Sequence, residues 1–489
     1  MRPLDTDHAS LHPLDTRRQL RRLMTGLEVE SPRGALVFGC CIAIAWGAYA
    51  AATEYAGLDE APARALFILV AAALLWVTEA APAFAVGILV IGLEVLLLAG
   101  AGGEERRLEG QQWETYVAVL GHPLIWLFFG GFVLAAGTAR TGLDRWLAVR
   151  ALARFGDRPS GLLAGVMTVT FGFSMFMSNT ATTALMLALL APVTANLSKG
   201  DPFRKALLLG TAIAANVGGM GSLIGTPPNA IAAGALAEVP GQAVDFLQWL
   251  AFGLPPATVL SILGWLFLLR RYPAAAKRLD VMEIMSNDLD TESQPDAPRW
   301  RRWVVTLTGI STVLLWMTGG WHHAPTAVVS LLPIVVFTTM SVLGPTDIRN
   351  LPWDVLFLLA GGLALGEAIK STGLTDWMVS AVPVSGLGPI ALALSLGYAC
   401  ALLSNFMSNT AAANVLVPIA ISLSAGFEDR VALPLALAAS SAMCLPIATP
   451  PNALVFSTGK VRSQDFMLPG LMIGALAPIF GVAWALLVR

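Results

Sequence analysis

The sequence predicts an all-α integral membrane protein built as two inverted-topology repeats, with about eleven transmembrane helices and two re-entrant helical hairpins. Three observations carry that expectation. Of 489 residues, 56% are hydrophobic and 13% charged, roughly half the charged share of a soluble domain. Three short motifs occur twice, in one order. An arginine-rich stretch that follows the first copy has no counterpart after the second.

Taken in chain order, residues 1–33 hold Arg17, Arg18, Arg21, Arg22 and Arg33 ahead of any long apolar run, with no small-residue cleavage site at signal-peptide distance. They read as a cytosolic tail, which places the N-terminus inside, in the cell (plasma) membrane. A first transmembrane helix is expected in 34–61, repeat 1 in 62–270, a cytosolic linker in 271–302 and repeat 2 in 303–489. Apolar runs long enough to cross a bilayer fall near 34–52, 62–80, 83–101, 116–138, 205–224, 246–269, 303–319, 325–343, 354–369, 430–447 and 466–488. Hairpins are expected at 160–197 and 388–425, and broken helices at 205–237 and 430–458. Lys277, Arg278, Arg299, Arg301 and Arg302 flank an acidic middle of the linker. Six spans precede it, and an even number returns the chain to the cytosol. Cys40, Cys41, Cys400 and Cys444 sit in apolar runs without metal-ligand spacing, which reads as packing. A net charge of −2 decides nothing about partners.

The repeat is explicit in the letters. GGFVLAAGTARTGLDRW at 130–146 aligns without a gap on GGLALGEAIKSTGLTDW at 361–377. FMSNT follows at 176–180 and at 406–410, and TPPNA at 226–230 and at 449–453. Each copy holds an odd number of spans, so the second enters the membrane from the opposite side. Charge agrees: Arg140, Arg145, Arg150, Arg154 and Arg158 crowd 139–158, whereas 370–389 carries Lys370 alone of the basic residues. The spacing of Arg150, Arg154 and Arg158, with Val149, Leu152 and Phe155 opposite, predicts an amphipathic helix in the cytoplasmic interface.

Ser-Asn-Thr at the centre of a long apolar stretch marks a place where the helix stops. Irregular backbone at membrane depth is tolerated where it is buried in protein or lines a wet cavity. Pro227 with Pro228, and Pro450 with Pro451, remove amide donors and interrupt two further spans. Discontinuous helices at matching positions of inverted repeats point to a transport site. Helix N-termini supply free N–H groups and partial positive charge, which suit an anion such as a carboxylate. Free carbonyls with Ser, Thr and Asn oxygens are hard neutral ligands suited to Na⁺. Neither motif contains Asp or Glu, which a proton relay would need. Glu79, Glu94 and Glu367 lie in or at the ends of apolar runs and are candidates for either coupling or structural pairing.

Other readings stay open. Ser, Thr and Asn also serve as interhelical hydrogen-bond partners, proline pairs also act as kinks, and hairpins also build channel filters. An enzyme would need a nucleophile and base at depth, and the five histidines stand beside no motif. Gly130, Gly131, Gly361 and Gly362 belong to no phosphate-binding pattern and read as close helix packing. No organic cofactor and no nucleic-acid partner are expected.

The doubled Ser-Asn-Thr and Thr-Pro-Pro-Asn set resembles the divalent anion/sodium symporter family, which includes the INDY and Na⁺/dicarboxylate carriers, from about residue 34 to the C-terminus. The resemblance implies a homodimer, an elevator-type movement of a transport domain against a scaffold, and Na⁺-coupled uptake of a small dianion. C4-dicarboxylates, citrate and sulfate are the implied substrates. Carried over by motif, one sodium site would use Ser174, Ser178, Asn179 and the carbonyl of Gly225. Its twin would use Ser404, Ser408, Asn409 and the carbonyl of Ala448. The dianion would meet Asn179, Thr180, Thr226 and Pro227 on one side and Asn409, Thr410, Thr449 and Pro450 on the other. No basic residue replaces these serines, which favours symport over exchange.

Overall fold

The computed structural model describes residues 32–99, 113–198, 200–278, 298–381 and 387–488. The basic tail before residue 32, the acidic middle of the linker and Ser385 lie outside them. The described residues are helical throughout, without a strand. Five helices are long and apolar enough to cross a membrane unaided, within 34–54, 60–78, 114–141, 246–271 and 463–488. A sixth candidate is a pair, Trp353–Ser371 with Leu374–Ser380, bent by 73°. The other expected spans take the form of shorter helices or of helices divided at a break.

Helix α1 (Pro32–Glu54) ends earlier than the expected 61, because the chain turns at Gly57, whose φ is 61°. α2 (Glu60–Thr78) and α3 (Ala83–Leu97) follow, then α4 (Glu114–Ala118), a single 3₁₀ turn and α5 (Pro123–Thr141). α5 stops at Gly142, which adopts the left-handed conformation of a helix C-terminus. The expected amphipathic helix through Arg158 is corrected here: α6 (Leu143–Leu152) closes before it. Gly156, at φ 70°, turns the chain, and Arg158 is the extended residue ahead of Pro159, so the three arginines do not share a helix. α6 itself keeps Arg145 and Arg150.

The first hairpin consists of α7 (Pro159–Ser174) and α8 (Asn179–Asn196); the first broken helix consists of α9 (Phe203–Gly219) and α10 (Pro227–Ala237). α11 (Phe246–Arg271) opens with a reciprocal cap between Asp245 and Gln248. The second half runs through α12 (Arg299–Met317), two short helices α13 (Gly319–His322) and α14 (Thr326–Val329), α15 (Leu331–Thr339), α16 (Pro345–Arg349), α17 (Trp353–Ser371) and α18 (Leu374–Ala381). Its hairpin is α19 (Pro389–Leu403) with α20 (Asn409–Leu423), and its broken helix is α21 (Glu428–Ser440) with α22 (Pro450–Ser457). α23 (Ser463–Val488) ends the described chain.

Two helices form the centre. α9 is buried from Ala206 to Gly219 and α21 from Val431 to Ser440. Their alanines, glycines and leucines let neighbours approach closely, since helices in lipid associate through packing and not through exclusion of water. α9 packs on α7, α8, α11 and α22; α21 packs on α19, α20, α23 and α10. A second group packs through glycines: α3 against α17, where Gly87 faces Gly361, and α5 against α14 and α15, where Gly130 faces Ser330 and Gly137 faces Phe337. The expected role of the glycine pairs in close packing is what their positions show. A Cβ on Gly130 would fall 2.7 Å from the Ser330 carbonyl oxygen.

Outward faces are apolar. On α12, Leu307, Ile310 and Leu314 are each more than half exposed, while Val305, Thr308, Thr312 and Trp316 face inward. α1 exposes Leu36, Ile44 and Trp46 in the same way. Such surfaces suit lipid and not water.

Candidate functional site

Four half-helices begin at the repeated motifs. Each has an extended residue before its first turn: Ser178 (φ −62°, ψ 140°), Ser408 (φ −64°, ψ 144°), Thr226 (φ −150°, ψ 144°) and Thr449 (φ −142°, ψ 150°). The twin dihedrals agree within a few degrees because the same letters meet the same demands. A hydroxyl residue stands before each first turn and caps it at Ser178, Ser408 and Thr449, and in the two Thr-Pro-Pro helices proline occupies the first helical position, where a missing N–H costs nothing. Ser178 accepts from Ala181 N at 3.2 Å and Ser408 from Ala411 N at 3.2 Å. Both expected sodium ligands therefore also serve as caps.

At the first hairpin tip, Ser174 Oγ lies 2.6 Å from Asn179 Oδ1 and 2.6 Å from the Ala215 carbonyl oxygen. One hydroxyl proton satisfies only one of these oxygens, so three oxygens converge on a single proton unless the Asn179 amide is turned over. Gly219 makes room for them: a Cβ there would stand 2.7 Å from Asn179 Oδ1 and 3.1 Å from the Gly225 carbonyl oxygen. Ser174, Asn179 and Gly225 are thus brought together around Gly219. At the second tip the pattern differs. Ser404 is fully buried and its Oγ has no hydrogen-bond partner beyond the weakly polar Cys400 thiol one turn back. Asn409 Oδ1 is likewise buried and unpartnered. Unpaired buried acceptors with no carboxylate beside them fit a hard monovalent cation held by neutral oxygens. Ala448, 8% exposed, stands immediately before Thr449 as Gly225 does before Thr226.

The breaks themselves are braced by asparagines whose part the sequence reading did not anticipate. Asn229 Nδ2 donates to the carbonyls of Gly219 at 2.9 Å and Ser222 at 2.7 Å, and Asn452 Nδ2 donates to those of Met443 and Leu445, both at 2.9 Å. The fourth letter of each Thr-Pro-Pro-Asn therefore ties together carbonyls on either side of the point where the helical ladder is interrupted. Asn216, on α9, reaches the other half: its Nδ2 lies 3.1 Å from Thr449 Oγ1 and 3.3 Å from Asn452 Oδ1. Asn405 Oδ1 accepts from Cys444 N at 2.9 Å, and Ser222 Oγ donates to the Met175 carbonyl. Tip, break, opposite break and opposite tip form one connected polar cluster. The asparagine in the 206–219 run, apolar but for it and Thr211, was the available signal.

The predicted substrate residues divide by exposure. Thr226 and Thr449 are 4% and 3% exposed, with Thr449 also accepting from Asn452 N at 3.3 Å. Thr180 is exposed and Thr410 half-buried on the first turns of α8 and α20, neither with a side-chain hydrogen bond among those of the described residues. Pro227 is half-buried and Pro450 exposed. The second copy is the more open one: Ile447 is 81% exposed against 7% for its twin Ile224. Glu79 closes α2 in a left-handed conformation at the surface, and Glu94 and Glu367 stand away from the motifs, on α3 and α17.

These features define a multi-pass helical membrane protein of transporter-like build. The chain belongs to the citrate transporter family, whose pattern it matches over residues 67–438. It is 29% identical over 437 residues to the sodium-dependent dicarboxylate transporter SdcS of Staphylococcus saprophyticus, covering 82% of this chain and 81% of that one. The SdcS protein of Staphylococcus aureus strain bovine RF122 is 29% identical over 439 residues, with 83% and 81% covered. Among solved structures, the fold is similar to the YdaH transporter of Alcanivorax borkumensis (TM-score 0.54, 14% identity, 85% of this chain and 98% of that one). It is also similar to MtrF of Neisseria gonorrhoeae, of a class of antimetabolite efflux pumps (TM-score 0.53, 14% identity, 83% and 95% covered).

Proposed function

We propose that the protein is a sodium-coupled symporter that brings a small dianion, a C4-dicarboxylate such as succinate, malate or fumarate, or else citrate, into the cytoplasm. The observation that carries this reading is the connected cluster of four half-helix N-termini with buried, unpaired neutral oxygens at Ser404 and Asn409. Partial positive charge at the helix starts suits carboxylates, and the leftover oxygens suit Na⁺. The sodium sites comprise Ser174, Ser178, Asn179 and the Gly225 carbonyl, and Ser404, Ser408, Asn409 and the Ala448 carbonyl. Asn179, Thr180, Thr226 and Pro227 take one carboxylate, and Asn409, Thr410, Thr449 and Pro450 the other. The sodium-dependent dicarboxylate transport of the SdcS relatives supports sodium and a dicarboxylate; membership of the citrate transporter family supports citrate as the competing substrate.

In this reading the halves are inverted repeats, with the N-terminus in the cytosol of a cell whose plasma membrane holds the chain. The pairing of α9 with α7, α8, α11 and α22, and of α21 with α19, α20, α23 and α10, supports a two-fold design. The group around α9 and α21 travels as an elevator against α2, α3, α5, α15 and α17, within a homodimer. Uptake into proteoliposomes of labelled succinate, with unlabelled malate, citrate, sulfate and acetate in competition, tests the substrate class. Competition by malate and none by acetate supports the two-ended site; displacement by sulfate alone would overturn it.

A further inference from the structure

Away from the Ser-Asn-Thr and Thr-Pro-Pro-Asn motifs, a cavity of about 430 Å³ lies where α4 and α17 meet α10 and α20. That volume is in the range of small-molecule sites, which are mostly apolar with a few convergent polar groups. Its walls include Leu363, Ile421 and Ile231, and its charged side chains are Glu238, Glu367, Glu428 and Lys370, three carboxylates against one ammonium, with His122 beside them. Lys370 is occupied, its Nζ donating to the Glu238 carbonyl at 2.8 Å, and Glu428 accepts from Gln242 and from Gly426 N.

Two buried side chains next to this cavity carry oxygens without a hydrogen-bond partner among the described residues. Asn414 is 0% exposed; its Nδ2 donates to the Leu358 carbonyl at 3.1 Å, which fixes the amide orientation and leaves Oδ1 unpaired against Gly362 in the cavity wall. Glu94 is 0% exposed, neither of its oxygens has a hydrogen-bond partner, and its charged neighbour is Glu367, which lines the cavity. The fold does not require that carboxylate. If Gly87 facing Gly361 corresponds to Ser330 facing Gly130, the position seven residues on is Glu94 in one half and the fully buried Phe337 in the other. Three lining carboxylates against one ammonium that already donates to the Glu238 carbonyl leave the wall with an excess of negative charge, which points to a ligand that brings a cation and N–H donors.

We infer that this cavity binds an alkylammonium ion, with its N–H groups turned to Glu367 and its apolar body against Leu363 and Ile421. A dianion is repelled by the same wall, which separates this site from the substrate site. Because α17 belongs to the glycine-packed group, with α4 packed on α3 beside it, and α10 and α20 belong to the group around α9 and α21, a bound amine bridges the two and arrests transport. That consequence rests on the elevator reading; binding itself does not.

The test uses equilibrium binding of radiolabelled 2-phenylethylammonium to the purified full-length protein, with 2-phenylethanol and 3-phenylpropionate as competitors. Saturable binding displaced by neither competitor is expected, weakened about tenfold or more in Glu367→Gln. Gly366→Leu should abolish it, since the site above Gly366 has room for a side chain, with Pro418 Cγ 3.9 Å from an added Cβ. Size-exclusion profiles of both variants control for folding. Displacement by 2-phenylethanol, equal affinity in Glu367→Gln, retained binding in Gly366→Leu, or no saturable binding to the native protein would each overturn the proposal. Dicarboxylate uptake inhibited by the amine in its maximal rate, with half-saturation unchanged, is the transport consequence; loss of uptake in the native protein refutes the symporter reading without touching the binding result.

Discussion

Replacing Ser404 with alanine should leave the protein at least as stable without sodium and less responsive to sodium. Ser404 Oγ is buried with only the Cys400 thiol near it. A buried hydroxyl without a good partner costs about 1–3 kcal/mol, so Ser404→Ala relieves a penalty in choline buffer. Ser174→Ala acts in the opposite direction, because Ser174 bonds Asn179 or the Ala215 carbonyl at 2.6 Å, and losing such a bond costs about 0.5–1.5 kcal/mol whatever the salt. Sodium at a hundred times its dissociation constant stabilises a site by about 2.7 kcal/mol; a tenfold weaker site at that concentration retains about 1.4 kcal/mol. In a chain of this size the difference moves the melting temperature by roughly one degree. The sharper readout is therefore the sodium concentration giving half the thermal shift, measured on purified protein in detergent, which should rise about tenfold in Ser404→Ala. An unchanged sodium midpoint, or a loss of stability in choline matching that of Ser174→Ala, would refute the assignment of Ser404 to a cation.

Asn216→Ala removes the donor between the halves at Thr449 and Asn452 and should lower uptake of dicarboxylate at saturating sodium at least tenfold, with protein yield and elution volume unchanged; full activity would show that the bridge is incidental. Thr180→Val and Thr410→Val should each raise the half-saturating succinate concentration about ten- to a hundredfold, since a hydrogen bond to a charged partner is worth about 1.5–3 kcal/mol. Wild-type affinity in both would place the substrate elsewhere. Cysteines introduced at Arg154 and Leu387 should react with impermeant reagent from opposite sides of the membrane; reaction of both from one side removes the inverted-repeat reading.

The positions of the breaks were legible in the sequence because they depend on local chemistry. Ser178 and Ser408 cap, Pro227 and Pro450 open a helix, and each does so with the same dihedrals in both halves. Element ends set by turns were less legible. Gly156 and Pro159 outweigh an arginine spacing that fits one face of a helix, because a left-handed glycine and a proline act on the backbone whatever the side-chain pattern. The asparagine braces were not legible either. Asn216 finds its partners more than two hundred residues away, on Thr449 and Asn452, and contacts of that separation leave no trace in a local window. The same applies to Glu94: its apolar run marks it as unusual, and only packing shows that no donor meets it.

On the symporter reading, sodium drives the dianion uphill. Proteoliposomes loaded with potassium and diluted into sodium buffer, with membrane potential and pH gradient both clamped to zero, provide the measurement. Labelled succinate should accumulate above its external concentration under the sodium gradient alone and drain to equality when sodium is made equal on both sides. Accumulation that persists with equal sodium, or that follows an imposed proton gradient instead, would contradict the account.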